Sequence, residues 1–89
     1  MTSVVAAHAV GDMDKWLAGG DERKVLFKGF CSGYRIFKHG SKNQVCLVFD
    51  DVDLGKMQAA MTAPETAAAK AAHTVIDPIE IYVEVDGGT

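Results

Sequence analysis

The sequence predicts an α+β protein of the ferredoxin-like type, in which a βαββαβ order forms an antiparallel four-stranded sheet with helices on one face. Three observations support this prediction. Four runs of β-branched or aromatic residues are separated by segments whose apolar residues recur at helical spacing. A cluster of turn residues joins the two middle runs, as in a β-hairpin. The 89 residues suffice for one small domain but not for a two-domain enzyme or a long barrel.

The first strand and helix follow from local patterns. A run of small and β-branched residues over 3–10 predicts the strand. Asp12 then occupies an N-cap position ahead of apolar residues spaced at i, i+3 and i+4. Gly19-Gly20 interrupts this helix, and a second piece over 22–28 is expected to begin at the cap Asp21. The apolar positions of the first piece are Met13, Trp16 and Leu17.

A β-hairpin is predicted in the middle of the chain. Its strands cover 30–38 and 44–49, and the turn residues 39–43 join them. An acidic cluster then offers N-caps for the next helix, whose N-terminal dipole favours negative charge. The cluster consists of Asp50, Asp51 and Asp53, and the apolar positions of the helix are Leu54, Met57 and Met61.

The last helix and strand are marked in the same way. Thr62 and Glu65 match the capping-box pattern, and Pro64 between them would end the preceding helix. A new, alanine-rich helix is therefore expected from this point to about His73. Strict alternation of apolar and polar residues over 79–85 predicts the final strand.

Composition limits the class of protein further. Apolar residues make up 48% of the chain and charged residues 24%, which is typical of globular rather than disordered proteins. The net charge is −3 and no basic block is present, so we expect no nucleic-acid partner. No apolar run is long enough to span a bilayer and no signal peptide is evident, so we expect a cytoplasmic protein without a membrane partner. Residues 1–86 are expected to form a single domain and 87–89 a frayed tail.

One face of the predicted sheet has no cover. The aliphatic residues of the last strand should meet the helices, which leaves Glu80, Tyr82 and Glu84 on the open face. The first and third strands, however, are apolar on both sides. A sheet with two apolar faces needs something on each of them. We therefore expect a homodimer in which two copies stack open face on open face.

Three stretches of the chain resemble motifs of the dimeric α/β-barrel superfamily. HAVGDMDKW at 8–16 is similar to its "HxVxD-[aromatic]-DxW" opening, with Met13 where an aromatic residue is usual. GFCSGYRIF at 29–37 is similar to its "Gv..yrvf" strand. MTAPE at 61–65, followed by PIEIY at 78–82, is similar to its "s.el...........PeiY" ending. Together the motifs extend over nearly the whole chain.

The resemblance implies two ferredoxin-like protomers that pair into an eight-stranded barrel. The superfamily contains cofactor-free monooxygenases of antibiotic biosynthesis, polyketide cyclases, lactone isomerases, haem-degrading enzymes, stress-responsive proteins and many small members of unassigned activity. A barrel of eight strands can enclose one small ligand. The resemblance therefore implies a pocket more than a particular reaction.

His8 is the main candidate for chemistry, because it is the sole ionisable residue in an apolar strand. As a general base it would need a pKa near the working pH and access to a substrate proton. The alternative is a structural role, in which the imidazole bonds to the backbone or to a helix cap such as Asp12 or Asp14.

Four other residues are candidates for a pocket. Arg35 could hold an anionic or enolic oxygen with its planar fork of donors, or could pair with Glu80 or Glu84 or lie in solvent. Tyr34 and Tyr82 could bind ligand or pack at a dimer seam. Trp16 could form one wall of a pocket or belong to the core.

Metal binding and disulfide formation have little support. The three histidines fall in a strand, a turn and a helix end without ligand spacing, so we expect neither a metal nor a cofactor. Cys31 and Cys46 do not form a C-x-x-C motif, and pairing about the predicted turn sets them apart, so we expect two buried thiols.

Two functional hypotheses follow. The first is a homodimer of unassigned role that binds a small, partly apolar or aromatic ligand in the barrel. The second is an enzyme, a cofactor-free monooxygenase, cyclase or isomerase, in which His8 is the base and Arg35 or a tyrosine steadies an enolate. A filled interior without a cavity would instead indicate a structural or interaction module.

Overall fold

The computed structural model describes residues 2–85, and the frayed tail expected at 87–89 lies outside them. The elements are β1 (Thr2–Val10), α1 (Met13–Ala18), α2 (Gly20–Lys28), β2 (Gly33–Lys38), β3 (Gln44–Val52), α3 (Leu54–Met61), α4 (Pro64–Ala72) and β4 (Val75–Val83). The predicted βαββαβ order is confirmed, with each helical segment in two pieces. The fold is α+β and ferredoxin-like, as the sequence predicts.

The four strands form one antiparallel sheet in the order β2-β3-β1-β4. Val5 on β1 lies opposite Val48 on one side and Tyr82 on the other, so these three residues share a face. The neighbouring Ala6 pairs with Leu47 and Ile81 on the opposite face. Because the core residues of α1–α4 all pack on the side of Ala6, we call that side the helix face and the other the open face. The helix face and its helices bury Val4, Ala6, Val10, Trp16, Phe30, Val45, Leu47, Phe49, Val52 and Met57.

The N-caps of α1 and α3 agree with prediction, whereas that of α2 does not. Asp12 and Asp53 each accept a bond from the backbone N–H three residues later, at 3.1 Å and 3.0 Å. Of the three candidates ahead of α3, Asp53 is thus the cap. The expected cap Asp21 is wrong, because α2 begins at Gly20 and Gly19 is its N-cap. Asp21 lies inside the helix, where its side chain stabilises the first turn through the dipole.

The predicted capping box at Thr62 and Glu65 is also wrong. Thr62 is the C-cap of α3, and its hydroxyl donates back to the carbonyls of Gln58 and Ala59, both at 3.2 Å. Its backbone is close to helical, which excludes the extended conformation that an N-cap needs. Ala63 takes that position with φ −70° and ψ 146°, because Pro64 forces the residue before it out of the helical region.

Strand boundaries differ from the expectation in β2, β3 and β4. β2 starts at Gly33 rather than residue 30, because the chain from α2 first inserts Phe30 into the core. β3 runs on to Val52 rather than ending at residue 49. β4 covers 75–83 rather than 79–85, and it includes Pro78. A proline, which has no backbone N–H to donate, is tolerated there because β4 is an edge strand. No other strand formed by residues 2–85 pairs with its outer side.

Both cysteines are free, which agrees with the expectation that they do not pair. They are half-buried rather than fully buried. Burial raises the pKa of the Cys31 thiol, which therefore stays protonated at neutral pH.

Gly19 lets the end of α4 approach the break between α1 and α2. A β-carbon at Gly19 would overlap the imidazole ring of His73. The overlap involves a ring that is itself buried, so neither group has room to move. The break therefore provides space for this side chain.

We expect Gly19→Ala to lower the free energy of unfolding by about 1–3 kcal/mol, the usual cost of overpacking. Gly33→Ala is the matched control, because a β-carbon there meets nothing within 4 Å, and it should change stability by less than about 0.5 kcal/mol. Urea denaturation followed by circular dichroism measures both. Equal stabilities for the two variants would contradict the close approach.

Candidate functional site

A cavity of about 70 Å³ lies between the helix face and the helices, partly open to solvent. Its wall is mainly apolar, with polar groups from one strand and two helix segments. The apolar lining includes Ala6, Trp16, Phe27, Leu47, Met57, Met61, Ala69 and Ile79, and the buried or half-buried polar side chains at its wall are His8, Arg23, Thr66, Lys70 and His73. We call this the helix-side cavity. An apolar pocket with a few convergent polar groups is typical of small-molecule sites.

His8 lines this cavity. Its Nδ1 lies 2.9 Å from the carbonyl oxygen of Ala9. Because a carbonyl only accepts, Nδ1 must carry the proton, which leaves Nε2 as an acceptor. The ring contacts Trp16 edge to face, with centroids 6.0 Å apart. Burial lowers the pKa of His8 from 6.5, since the charged form loses its hydration. The imidazole is therefore neutral at pH 7 and able to accept a hydrogen bond or a proton.

Arg23 lies behind Trp16 and is 6% exposed. Its guanidinium carbon is 3.8 Å from the centroid of the Trp16 ring, a cation–π contact. Nη1 donates to the backbone oxygen of Trp16 and lies 3.3 Å from Nδ1 of His73. Burial lowers the pKa of Arg23, although the guanidinium remains charged at any physiological pH.

His73 connects this buried arginine to a surface carboxylate. Arginine can only donate, so Nδ1 of His73 accepts from it and Nε2 carries the ring proton. Nε2 lies 3.2 Å from Oε2 of Glu22. The side chain of Glu22 is 60% exposed, whereas that of His73 is 7% exposed. Glu22, His73 and Arg23 thus form a chain of hydrogen bonds from the surface to the cavity.

Two buried N–H groups at the cavity have no hydrogen-bond partner among residues 2–85. They are Nε1 of Trp16 and Nε of Arg23. An unpaired buried donor costs about 1–3 kcal/mol, so such groups call for an explanation. Both atoms are enclosed by the protein around the cavity.

The other predicted site residues lie elsewhere. Tyr34 is on the helix face, but it packs edge to face on Phe27, with centroids 5.1 Å apart, rather than lining the cavity. Arg35 pairs with Val48 and is exposed on the open face. Tyr82 is also on the open face, where its hydroxyl donates to Glu80 at 2.7 Å. That bond raises the pKa of Tyr82, because it favours the protonated phenol.

The structure therefore brings His8 and Trp16 together and separates both from Arg35. The sheet itself lies between the imidazole and this guanidinium. The pairing of His8 with Arg35 that the enzyme hypothesis needs is not formed within one chain.

The open face carries a second and larger depression, of about 420 Å³, at the end of the sheet. Its lining includes His8 as well as Phe37, Cys46, Ile76 and Glu80. This groove is more open to solvent than the helix-side cavity. None of the buried unpaired donors lies in it.

Metal ligation finds no support among the described residues, in which no three histidine, cysteine or acidic side chains cluster. None of the helices formed by residues 2–85 has the length and apolar character needed to cross a membrane.

Arg23 and His73 are functional candidates that the sequence interpretation did not single out. Arg23 precedes Leu26 and Phe27 at i, i+3 and i+4, which places it on the same helix face as these cavity residues. His73 follows the buried Ala69 by four residues, so it too lies on an inward face. The helical spacing of Arg23 and His73 could therefore have indicated that both face the interior. A charged residue on a short helix is, however, usually exposed to solvent.

The fold and the cavity define a ferredoxin-like α+β protein with a polar-ended pocket between sheet and helices. No protein-family model matches the chain, and no curated protein matches it.

Several solved structures match over nearly its whole length. A putative antibiotic biosynthesis monooxygenase from Bordetella bronchiseptica is 16% identical with a TM-score of 0.74, covering 96% of this chain and 95% of that one. SnoaB, a cofactor-independent oxygenase from Streptomyces nogalater, is 14% identical with a TM-score of 0.68, covering 99% and 94%. An uncharacterised NIPSNAP domain protein from Burkholderia xenovorans is 14% identical with a TM-score of 0.66, covering 98% and 95%.

At these identities the likeness establishes the fold alone. It confirms the resemblance in fold that the three sequence motifs predict. Because the matched structures carry different descriptions, the chemistry of this chain has to be argued from its own residues.

The lowered pKa of His8 predicts a pH dependence of stability. Since the unfolded chain binds a proton at His8 near pH 6.5 and the folded chain only at lower pH, stability should fall as the pH decreases through 6.5 toward the folded value. His8→Gln should remove this component, so the difference in unfolding free energy between variant and wild type should change over that window. An NMR titration of His8 with a midpoint at or above 6.5 would contradict its burial.

Proposed function

We propose that the protein binds a small, partly apolar or aromatic ligand in the helix-side cavity. The observation that carries the proposal is the state of His8, a neutral imidazole whose Nε2 lone pair is left free by the bond from Nδ1 to Ala9. The bond to Ala9 is also the one expected of a structural histidine, and the cavity beside the ring favours a binding role. Trp16 and Arg23 line the same cavity.

The size and lining of the cavity indicate what the ligand resembles. About 70 Å³ is roughly half of the 150 Å³ that holds benzene in an engineered apolar cavity, so a ring would be only partly enclosed. Met57 and Met61 line it, and unbranched thioether side chains adapt to different shapes. We favour this cavity over the barrel interior, because Trp16, Arg23 and His73 line it, whereas the open-face groove is larger and more open to solvent.

Binding is better supported than catalysis. A reaction that used His8 as general base would develop negative charge on the substrate, and another group would have to stabilise it. Arg35, the group expected for that task, is on the other face of the sheet. For a monooxygenase, cyclase or isomerase activity, His8 is present as a candidate base, but Arg35 is not placed to stabilise the charge that would develop on the substrate.

The second part of the proposal is the homodimer. The helices all cover one side of the sheet, and the open face carries the half-buried Val5, Cys46 and Val48 together with Phe37, which is 50% exposed. A contiguous apolar surface of this kind favours association. A second copy of the chain, stacked open face on open face, would cover it with an equal surface.

Trp16 provides a direct assay of the cavity, because it is the sole tryptophan of the chain. We expect benzoate or benzamide to change its fluorescence and to shift its indole N–H resonance. Ala69→Leu adds three carbons to a buried residue of the cavity wall and should abolish the change. Ala68→Leu, on the exposed side of α4, should leave it intact. Loss of the signal in both variants, or in neither, would argue against the cavity.

Substitution on the open face tests the dimer. Sedimentation equilibrium of the wild type at micromolar concentration should give twice the 9.5 kDa of one chain. Val48→Lys places a charge in the proposed interface and should give monomers. Val25→Lys is the matched control, because Val25 is 76% exposed on α2, away from that face. A monomeric wild type would refute the dimer.

A further inference from the structure

We propose that the ligand of the helix-side cavity carries a carboxylate, which pairs with the guanidinium of Arg23. This inference rests on the proposed function, because it names the chemistry of the ligand that the cavity would hold. Neither the sequence motifs nor the matched structures assign any role to Arg23.

The first argument is an unbalanced buried charge. Arg23 is 6% exposed, and no carboxylate of residues 2–85 lies within ion-pair distance of it. Glu22 is the acidic residue connected to it, but the ring of His73 stands between the two. Buried charges in proteins are normally paired, so the cavity is short of one negative charge.

The contacts that Arg23 does make do not supply that charge. The Trp16 ring offers a π face, the Trp16 carbonyl offers a neutral oxygen, and His73 offers a neutral nitrogen. Together they hold the guanidinium in one orientation without neutralising it. A residue held in this way is preorganised for a partner of opposite charge.

The second argument is geometric. A guanidinium has two edges suited to a carboxylate, and a planar fork can donate two parallel bonds to it. Nη1 is engaged by the Trp16 carbonyl and by His73. Nε has no partner, and Nη2 donates to no group of the part of the chain that the structure describes. Nε is enclosed by protein, so Nη2 is the donor that a carboxylate on the ligand would reach.

Glu22 and His73 act as positioning residues in this scheme. His73 accepts from Nη1 and so keeps that edge turned away from the ligand. Glu22 accepts from Nε2 of the imidazole, which fixes the tautomer that can accept from Arg23.

The experiment compares benzoate with benzamide, which have nearly the same shape and differ in charge. Binding to the wild-type protein is followed by the Trp16 indole resonance and by the shift of the unfolding midpoint with ligand concentration. We expect benzoate to bind at least about 10-fold more tightly than benzamide, because its bond to the guanidinium is charge-assisted. Arg23→Met keeps the length of the side chain and removes the charge, and it should abolish the preference.

The outcomes separate the two proposals. Equal binding of benzoate and benzamide to the wild type overturns the carboxylate inference and leaves the cavity as a binding site. Failure of both probes to affect Trp16 overturns both proposals. Because the main comparison uses the wild-type chain, it does not depend on whether Arg23→Met folds. As a second variant, His73→Gln should reduce the preference for benzoate while Trp16 still responds to both probes.

Discussion

The buried guanidinium of Arg23 is the interaction on which the arrangement of the helices depends. It stacks on Trp16 of α1, belongs to α2 and contacts His73 at the end of α4. Three short helical pieces, none stable alone in water, are held to one another at this point. Burying a charge costs free energy, so the groups around the guanidinium have to lie where they can form hydrogen bonds with it. The cavity lies between these helices and the sheet.

The fold was predictable because it follows from periodicity. Alternating and helical spacings identify all four strands and both helical segments, whose order admits few topologies. The failures are local and have physical causes. The sequence predicts Thr62 as the N-cap of α4, because threonine is a good capping residue. Pro64 instead forces Ala63, the residue before it, into the extended conformation of an N-cap, and this steric effect outweighs the capping preference of threonine. The prediction of Asp21 as N-cap is wrong because only Gly19 separates α1 from α2, so Gly19 itself is the N-cap of α2.

The candidate site was predictable only in part. His8 and Trp16 stand out because a histidine in an apolar strand and a tryptophan at helical spacing are unusual signals. Arg35 was an equally plausible site residue because of its chemistry. Its pairing with Val48 places it on the open face, and that pairing can be known only from the register of the hairpin. Arg23 and His73 are separated by 50 residues along the chain. Their contact depends on how α2 and α4 cross, which no local pattern encodes.

The break at Gly19 has a consequence for how this protein could change. Joining α1 and α2 into one continuous helix would improve local helix formation, yet any side chain at that position would occupy the space of the His73 ring. Without the ring in place, Arg23 would lose the acceptor that orients it. A more regular helix and the present position of the His73 ring are therefore mutually exclusive at a single residue.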